Sequence, residues 1–379
     1  MESTQKEIIL IAGEASGDLH GANLAKELKK LDPYLKISGL GGKMMSDSGV
    51  EIYHDLTQLA VVGFFEVLRH YREIKKCFDL ILKKAEEIKP CAVVLIDYPG
   101  FNLRLAKELK KRNIRVIYYI SPQVWAWKKN RVKLVKKYVD KMLVIFEFEK
   151  TFYSNYGIKV EFVGHPLVDG CLVDKSKEDF LNSVGLKEYK YTIGLLPGSR
   201  EKEIDNLLPV MLESAVLLSK KFPMAQFLLV KAPTIKSRLI DKHLRAKRLP
   251  ISVAIDGQYN AINSCDICIV TSGTATLETA IMGKPMVVIY KTSFLTWILA
   301  KFFVKIKDIG LVNIVAGKRI VPEFVQFEAT ASNIARELEK YISNEEYFSE
   351  TKLALSRVRF SLGKDGANEN AAREIINSI

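Results

Sequence analysis

Short apolar runs alternate with helix-like stretches through the first half of the chain. The runs cover residues 8–12, 92–96, 116–120, 142–145 and 160–163, and polar loops and amphipathic segments separate them. Continuous apolar runs of this length are typical of parallel strands that helices cover on both faces. The pattern therefore predicts a doubly wound α/β sheet in this half of the chain.

The same alternation restarts after a polar stretch at about residues 167–191. Its apolar runs cover residues 193–196, 227–230, 252–255, 267–270 and 286–289, and the chain reads as helical from about Thr330. We predict an N-terminal Rossmann-like domain (1–168), a second one (169–340) and a helical tail (341–379) that packs on the first domain or on a partner subunit. Ligands of open α/β sheets bind at the carboxyl ends of the strands, so we expect the ligands in a cleft between the two sheets.

Composition and charge narrow the class of protein. The chain has 379 residues, of which 48% are hydrophobic, enough for two or three domains with ordinary cores. Its start lacks the features of a signal peptide, and no apolar run approaches the roughly 18 residues of a membrane span, so we predict a cytoplasmic location. The formal charge of +13 suits nucleic acid, anionic lipid or phosphorylated substrates, although solvated helix faces explain any single lysine run equally well.

The five cysteines do not suggest a metal or redox centre. Cys265 and Cys268 form a C-x-x-C, but they lie in an apolar strand pattern with no second pair nearby, and Cys77, Cys91 and Cys171 are scattered. Reduced thiols in the core are the better interpretation.

One loop of the second half is suited to an anion. Gly198 and Ser199 follow an apolar strand and precede a helix, where backbone N–H groups can converge on a phosphate. Arg200 adds a cationic fork that fits a pyrophosphate. A plain strand-to-helix turn with a surface arginine explains this motif equally well.

A second loop of this kind follows the strand at residues 267–270. Its small and hydroxyl residues are Ser272, Gly273, Thr274, Ala275 and Thr276. Glu278, one turn into the next helix, is placed to accept hydrogen bonds from a ribose diol. Helix capping alone explains the motif in isolation, but the two loops together favour a nucleotide diphosphate.

Several common cofactor motifs are missing from the sequence. It has no Walker A motif and no G-x-G-x-x-G fingerprint, which disfavours ATP hydrolysis and NAD chemistry. It also has no Asp-x-Asp pair to hold a metal-bound nucleotide sugar. We therefore predict a mechanism without a metal or other cofactor.

Two strand ends of the first half carry candidate side chains. Asp97 ends the strand at residues 92–96 and is a candidate general base, although an aspartate before Pro99-Gly100 is also common in turns. Trp125 and Trp127 follow the next strand and would line a sugar or acyl site, or simply be buried.

Two apolar segments flanked by positive charge resemble membrane contacts. The first contains Val62, Phe64, Phe65 and Leu68, and the second covers residues 294–304. Apolar helices with a basic rim dock on anionic lipid. A core helix or a dimer helix is an alternative of nearly equal weight for each.

Taken in order, the motifs resemble those of the lipid-A-disaccharide synthases, glycosyltransferase family 19, across about nine-tenths of the chain. The matching segments are residues 13–18, 41–44, 62–68, 96–102, 121–127, 164–166, 195–200, 272–278, 284–288 and 313–317. Each motif is weak by itself, whereas the ordered set is highly specific.

This resemblance implies a glycosyltransferase-B fold and an inverting, metal-independent reaction. The family joins UDP-2,3-diacylglucosamine to 2,3-diacylglucosamine 1-phosphate, which gives the β-1′,6-linked lipid A disaccharide and UDP. The resemblance also implies a peripheral location on the cytoplasmic face of the inner membrane, and a homodimer that exchanges C-terminal segments.

The resemblance further assigns roles to individual residues. Asp97 matches the family's essential aspartate, the candidate base for the acceptor 6-hydroxyl, and Ser16 lies in the matching N-terminal loop. Arg200 would hold the donor diphosphate. Uridine diphosphate would contact Ser272, Thr274, Thr276 and Glu278, with Asn313 nearby. Two positions depart from the family pattern: Gly100 replaces a second aspartate, and Val312 replaces a proline.

Other classes of protein remain as alternatives. A UDP-N-acetylglucosamine 2-epimerase or the peptidoglycan glycosyltransferase would share the UDP loops but not the motifs around Ser16 and Trp127. A catalytically silent protein that docks on membranes would share the basic apolar segments. A nucleic-acid binder is disfavoured because no basic cluster accompanies a recognisable binding module.

Overall fold

The chain folds into two compact units. The computed structural model describes residues 5–57, 64–122, 124–125, 131–188, 191–245, 249–292 and 308–379, with the backbone alone for residues 64–70. The first unit comprises Met1–Asp169 and Leu362–Ile379, and the second comprises Gly170–Ser361. The helical tail predicted at residues 341–379 is thus divided between the two units.

Strands and helices alternate along both units. The strands are β1 (Glu7–Ala12), β2 (Lys36–Gly41), β3 (Glu51–Asp55), β4 (Ala92–Ile96), β5 (Val116–Tyr119), β6 (Lys141–Val144), β7 (Glu161–Phe162), β8 (Tyr191–Leu196), β9 (Ala225–Val230), β10 (Ile251–Ala254), β11 (Ile267–Thr271), β12 (Met286–Tyr290) and β13 (Glu323–Val325). The helices are α1 (Ala15–Leu31), α2 (Lys43–Asp47), α3 (Phe64–Ile88), α4 (Pro99–Lys111), α5 (Arg131–Tyr138), α6 (Phe148–Ser154), α7 (Pro166–Gly170), α8 (Lys177–Ser183), α9 (Glu201–Lys221), α10 (Ser237–Leu244), α11 (Gln258–Ser264), α12 (Ala275–Ile281), α13 (Leu311–Ala316), α14 (Ala331–Ser343), α15 (Glu345–Ser361) and α16 (Ala367–Ile376).

The first unit is built on a parallel sheet of seven strands in the order β3-β2-β1-β4-β5-β6-β7. Strand β1 lies inside the sheet between β2 and β4, and its residues 8–12 have no exposed surface. Ala12 is paired with Ile96 in the register between β1 and β4, so the loops that leave these two strands start side by side. This edge of the sheet carries Asp97.

The second unit repeats the design with a parallel sheet in the order β10-β9-β8-β11-β12-β13. Strands β8 and β11 are neighbours, with Leu196 opposite Val270. The two loops predicted to bind an anion therefore leave adjacent strands at the same edge. Both sheets confirm the predicted α/β class with two doubly wound domains.

Two predictions about the interior can be checked directly. All five cysteines are free, and the Cys265 and Cys268 thiols are buried, which confirms that they belong to the core. Gly194 lies against this pair, because a Cβ at its position would be 2.7 Å from the Cys265 sulfur. Of the helices that the structure describes, none has the length and apolar character needed to cross a membrane.

Candidate active site

The turn that follows β4 has an unusual backbone. Asp97 and Tyr98 both have φ of 45°, in the left-handed region, and Pro99 then begins α4. Aspartate tolerates this conformation, whereas tyrosine adopts it rarely. Each such residue costs about 1–3 kcal/mol, a cost that recurs at functional sites because the surrounding structure enforces the conformation.

Hydrogen bonds from two buried side chains converge on this turn. The Asn102 side-chain amide donates to the Ile96 carbonyl at 3.1 Å and to the Asp97 carbonyl at 2.8 Å. The Tyr118 hydroxyl donates to the same Asp97 carbonyl at 2.5 Å. The backbone oxygen of Asp97 is thus held from α4 and from β5.

Gly13, at the end of β1, makes room for this turn. A Cβ on Gly13 would be 2.1 Å from the ring of Tyr98. The Tyr98 ring also stacks on Phe101, with 6.0 Å between the ring centroids. Any larger residue at position 13 would displace Tyr98 and with it the neighbouring Asp97.

The environment of Asp97 suits a general base at neutral pH. Burial, together with the negative charge of Glu14, raises the pKa of its carboxyl from 3.8 to about 6, and the Tyr98 backbone N–H opposes the shift. A base is most effective when its pKa lies near the working pH. Glu14 was not predicted as a site residue, although it lies in the loop that leaves β1 next to the end of β4.

Close to Ser16 in sequence, the carboxylate of Asp18 has a structural role. Ser16 itself is exposed in the first turn of α1. Asp18 is buried, and its carboxylate accepts hydrogen bonds from the backbone N–H groups of Gly42, Met44 and Met45 at 2.7–3.1 Å. Asp18 thus ties α2 to α1, and a catalytic role for Ser16 stays a prediction.

The second unit contains a cavity of about 360 Å³ at the carboxyl ends of β8, β9 and β11. Eight predicted residues line it: Gly198, Ser199, Arg200, Ser272, Gly273, Thr274, Ala275 and Glu278. The lining also includes Leu196 and Thr271, which begin or lie within the two loop motifs, and six residues that the motifs did not indicate: Glu203, Val230, Ala232, Pro233, Thr234 and Gln258. Thr276 and Asn313 are absent from this lining in the described part of the chain.

The first loop of this cavity is organised by a carboxylate. Glu203 accepts hydrogen bonds from the backbone N–H groups of Ser199 at 3.0 Å and Arg200 at 3.3 Å. Gly198 has φ of 110°, and a Cβ there would be 2.4 Å from the same carboxylate. The amides expected to be free for a phosphate are therefore bound to Glu203 in this structure, whereas the Arg200 side chain is 64% exposed.

The opposite side of the cavity holds a second carboxylate. Glu278 is buried and accepts hydrogen bonds from the Gln258 side-chain amide at 2.9 Å and from the Tyr259 hydroxyl at 3.4 Å. Burial raises the pKa of Glu278, and these two donors oppose the shift. The arrangement fixes the orientation of an acceptor group that faces the cavity.

Three polar residues predicted in this unit, Ser272, Thr276 and Asn313, form hydrogen bonds within the chain. The Ser272 hydroxyl donates to the Ile309 carbonyl at 2.9 Å, and the Thr276 hydroxyl donates to the Gly273 carbonyl at 2.8 Å. Asn313 is 1% exposed and uses both ends of its amide: it donates to Val321 and Glu323 and accepts from two backbone N–H groups. The structure therefore gives Asn313 a role in holding α13 against β13 and not in lining the cavity.

Several side chains predicted to contact lipid or sugar lie outside the part of the chain that the structure describes. Val62, Trp127 and the apolar segment at residues 294–304 lie outside the described residues. Phe64, Phe65 and Leu68 lie in the first turns of α3, where only the backbone is described. Trp125 is half-buried and packs edge-on against Phe148, with 5.2 Å between the ring centroids.

Within the described ranges, no three His, Cys, Asp or Glu side chains cluster as a metal site.

Comparison with known proteins gives one consistent match. Residues 8–377 match the family model described as lipid-A-disaccharide synthetase. The lipid-A-disaccharide synthase of Geobacter metallireducens is 44% identical over 99% of this chain and 97% of its own length. Lipid-A-disaccharide synthase 1 of Legionella pneumophila (strain Lens) is also 44% identical, over 89% of this chain and 87% of its own length.

Solved structures resemble the chain at the level of the fold. S. aureus MnaA in its UDP co-structure has a TM-score of 0.66 at 14% identity, covering 99% of this chain and 98% of that one. The UDP-GlcNAc 2-epimerase from Neisseria meningitidis bound to UDP-GlcNAc has a TM-score of 0.64 at 15% identity, covering 98% and 100%. At such low identity the likeness shows a shared fold and does not extend to the reaction.

Proposed function

Because the chain belongs to the lipid-A-disaccharide synthase family, and is thus a hexosyltransferase of lipid A synthesis, we propose that Asp97 and Arg200 carry its reaction. The substrates in this proposal are UDP-2,3-diacylglucosamine and 2,3-diacylglucosamine 1-phosphate. The acceptor oxygen displaces UDP with inversion at the anomeric carbon. The observation that carries the proposal is the carboxylate of Asp97, which follows β4 and has a pKa of about 6.

Asp97 acts on the acceptor side. Its carboxylate takes the proton from the acceptor 6-hydroxyl as that oxygen forms the glycosidic bond. With a pKa near 6, Asp97 is ionised at neutral pH and still basic enough to accept a proton. Gly100 places no second carboxylate in this turn, and in our proposal Glu14 supplies the neighbouring negative charge.

The cavity of the second unit takes the donor nucleotide. Arg200 pairs with the diphosphate and stabilises the negative charge that develops on departing UDP. Glu278, held by Gln258 and Tyr259, accepts hydrogen bonds from the ribose hydroxyls. Arginine supplies the positive charge that a metal ion provides in other enzymes of this type, in keeping with the absence of an Asp-x-Asp pair from the sequence.

The acylated substrates imply work at a membrane surface. We propose that the enzyme is peripheral on the cytoplasmic face of the inner membrane, where Val62, Phe64, Phe65 and Leu68 contact lipid. The formal charge of +13 favours an anionic surface. A homodimer with exchanged C-terminal segments is part of the same proposal and rests on the family resemblance.

The test is a reaction of the purified protein with both substrates in detergent and EDTA, with Asp97→Asn alongside. We expect wild type to form disaccharide and UDP, and the variant to bind UDP but form neither product. A folded wild-type protein that binds UDP without forming disaccharide would limit the proposal to the donor site. Activity that appears only when magnesium is added would contradict the metal-independent part.

A further inference from the structure

The backbone oxygen of Asp97 is bound by two side chains from different elements. Asn102, in the first turn of α4, donates to it at 2.8 Å, and Tyr118, on β5, donates at 2.5 Å. Asn102 and Tyr118 both have no exposed surface. Both acceptor positions of this carbonyl are thus filled by groups that packing holds in place.

The hydrogen bonds from Asn102 and Tyr118 restrain a residue whose backbone is in the left-handed region. With Asp97 at φ of 45°, rotation about its N–Cα bond toward the usual negative φ would swing the Asp97 carbonyl away from its two donors. The same rotation would carry the Asp97 side chain to a new direction. Restraint of the backbone oxygen therefore also restrains the carboxylate.

Within the described part of the chain, the Asn102 side-chain amide donates hydrogen bonds but accepts none. Its nitrogen donates to two carbonyl groups, those of Ile96 and Asp97, while its oxygen is buried and has no hydrogen-bond partner among the residues described. A buried amide is normally satisfied at both ends, because an unpaired polar atom is destabilising. Asn102 is therefore not placed for its own best hydrogen bonding but for the two donations that it makes to the turn.

We propose that Asn102 and Tyr118 are positioning residues, which aim the Asp97 carboxylate at the acceptor by fixing its backbone carbonyl. This inference rests on the proposed role of Asp97 as the base. Neither side chain contacts substrate in the proposal. Loss of either donor should leave the donor nucleotide site unchanged and lower the rate of the chemical step.

The first experiment compares Tyr118→Phe with Tyr119→Phe in the detergent assay. Tyr119 is the matched control because it is adjacent on β5, equally buried, and bonded through its hydroxyl to Asn368 at 3.3 Å on the other face of the sheet. We expect Tyr118→Phe to lower kcat about tenfold, since a small misplacement of a reacting group is costly, with KM for the donor within about twofold. Tyr119→Phe should keep the wild-type kcat.

The second experiment tests Asn102→Asp, which keeps the side-chain shape but replaces the donating nitrogen with an acceptor. We expect a loss of kcat at least as large as that of Tyr118→Phe, with UDP affinity unchanged. A crystal structure of either variant should show Asp97 or Tyr98 away from the left-handed region. If Asn102→Asp does not fold, Tyr118→Phe decides the matter by itself.

Two results would overturn the inference. One is wild-type kcat in Tyr118→Phe, whether or not its melting temperature falls, because a purely structural role moves stability alone. The other is an equal loss of kcat in Tyr119→Phe, which would point to a general effect on β5. Failure of the proposed function is separate, since it would appear as an inactive wild type or an active Asp97→Asn.

Discussion

The guanidinium of Arg200 is paired with the carboxylate of Glu203, with 3.0 Å between Nη1 and Oε1. The same carboxylate accepts hydrogen bonds from the Ser199 and Arg200 backbone. The groups proposed for the donor diphosphate are thus already bound to an internal anion. A diphosphate that uses them has to displace Glu203.

Glu203→Gln should therefore increase the affinity for UDP. The neutral amide competes less well for Arg200, and the loss of an exposed ion pair, worth about 0.2–1 kcal/mol, corresponds to a Kd lower by roughly 1.4-fold to fivefold. Isothermal titration calorimetry with UDP measures the effect. Glu201→Gln removes the same charge from a neighbouring position and controls for general electrostatics. Weaker UDP binding by Glu203→Gln alone would mean that Glu203 shapes the loop for the ligand and does not compete with it.

The pH dependence of catalysis should reflect Asp97 and its neighbour Glu14. Asp97 must be ionised to accept a proton, so kcat should rise with pH through about 6. Glu14→Gln removes the charge that adds to the effect of burial, and this limb should move to lower pH. Glu27→Gln, farther along the chain in α1 and paired with Lys30 at 2.7 Å, should leave the limb in place. An unchanged or higher limb in Glu14→Gln would contradict the assignment.

Asp97→Asn should be more stable than wild type at pH 8. The carboxyl pKa is raised from 3.8 to about 6 in the fold, so the ionised form is penalised by on the order of 3 kcal/mol above pH 6. This cost is fully present above the folded pKa and vanishes below the unfolded one. The difference in melting temperature should therefore be large at pH 8 and absent near pH 3.5. A variant that melts below wild type at pH 8 would show that the ionised carboxylate stabilises the fold.

Acid should destabilise the first unit through the imidazoles of His165, which is buried, and His20, which is half-buried. Burial lowers the pKa of His20 to about 4 and that of His165 to about 3. The unfolded chain takes up protons below pH 6.5 while the folded chain does not, so stability falls with pH in this window by up to about 1.4 kcal/mol per pH unit for each group. His20→Leu should lose less melting temperature than wild type between pH 7 and pH 5. His54→Leu, which removes an exposed imidazole of β3, is the control, and equal losses in His20→Leu and wild type would refute the prediction.

The strands that were predicted are those with continuous apolar runs. Strand β3 was not indicated because it is largely polar. Strands β2 and β13 were not indicated because polar or small residues interrupt them: Ser38 and Gly39 lie within β2, and Glu323 begins β13. In each case the polar group is satisfied by a partner distant in sequence, such as Glu7 for Ser38 and Asn313 for Glu323. A local pattern contains no information on such partners.

The residues of the candidate site also divide into those that the sequence indicates and those that depend on the three-dimensional fold. Gly198 and Arg200 were indicated because glycine and arginine carry their geometry and charge in the residue type. Glu203 was also accessible from sequence, since a glutamate at the third position of a helix commonly reaches back to the backbone before it. The contacts of Asn102 and Tyr118 with Asp97 depend on the register of β4 and β5, which the apolar pattern leaves undetermined.

The composition of the first unit sets an order for its assembly during translation. Helix α16 packs on α1, and Asp169 accepts a hydrogen bond from the Gly366 backbone at 2.6 Å. The second unit has all its residues once Ser361 has left the ribosome, whereas the first waits for residues 362–379. The nascent chain thus completes the unit that contains the cavity before the unit that contains Asp97. A premature stop codon after Ser361 would spare the former and leave α1 without its cover.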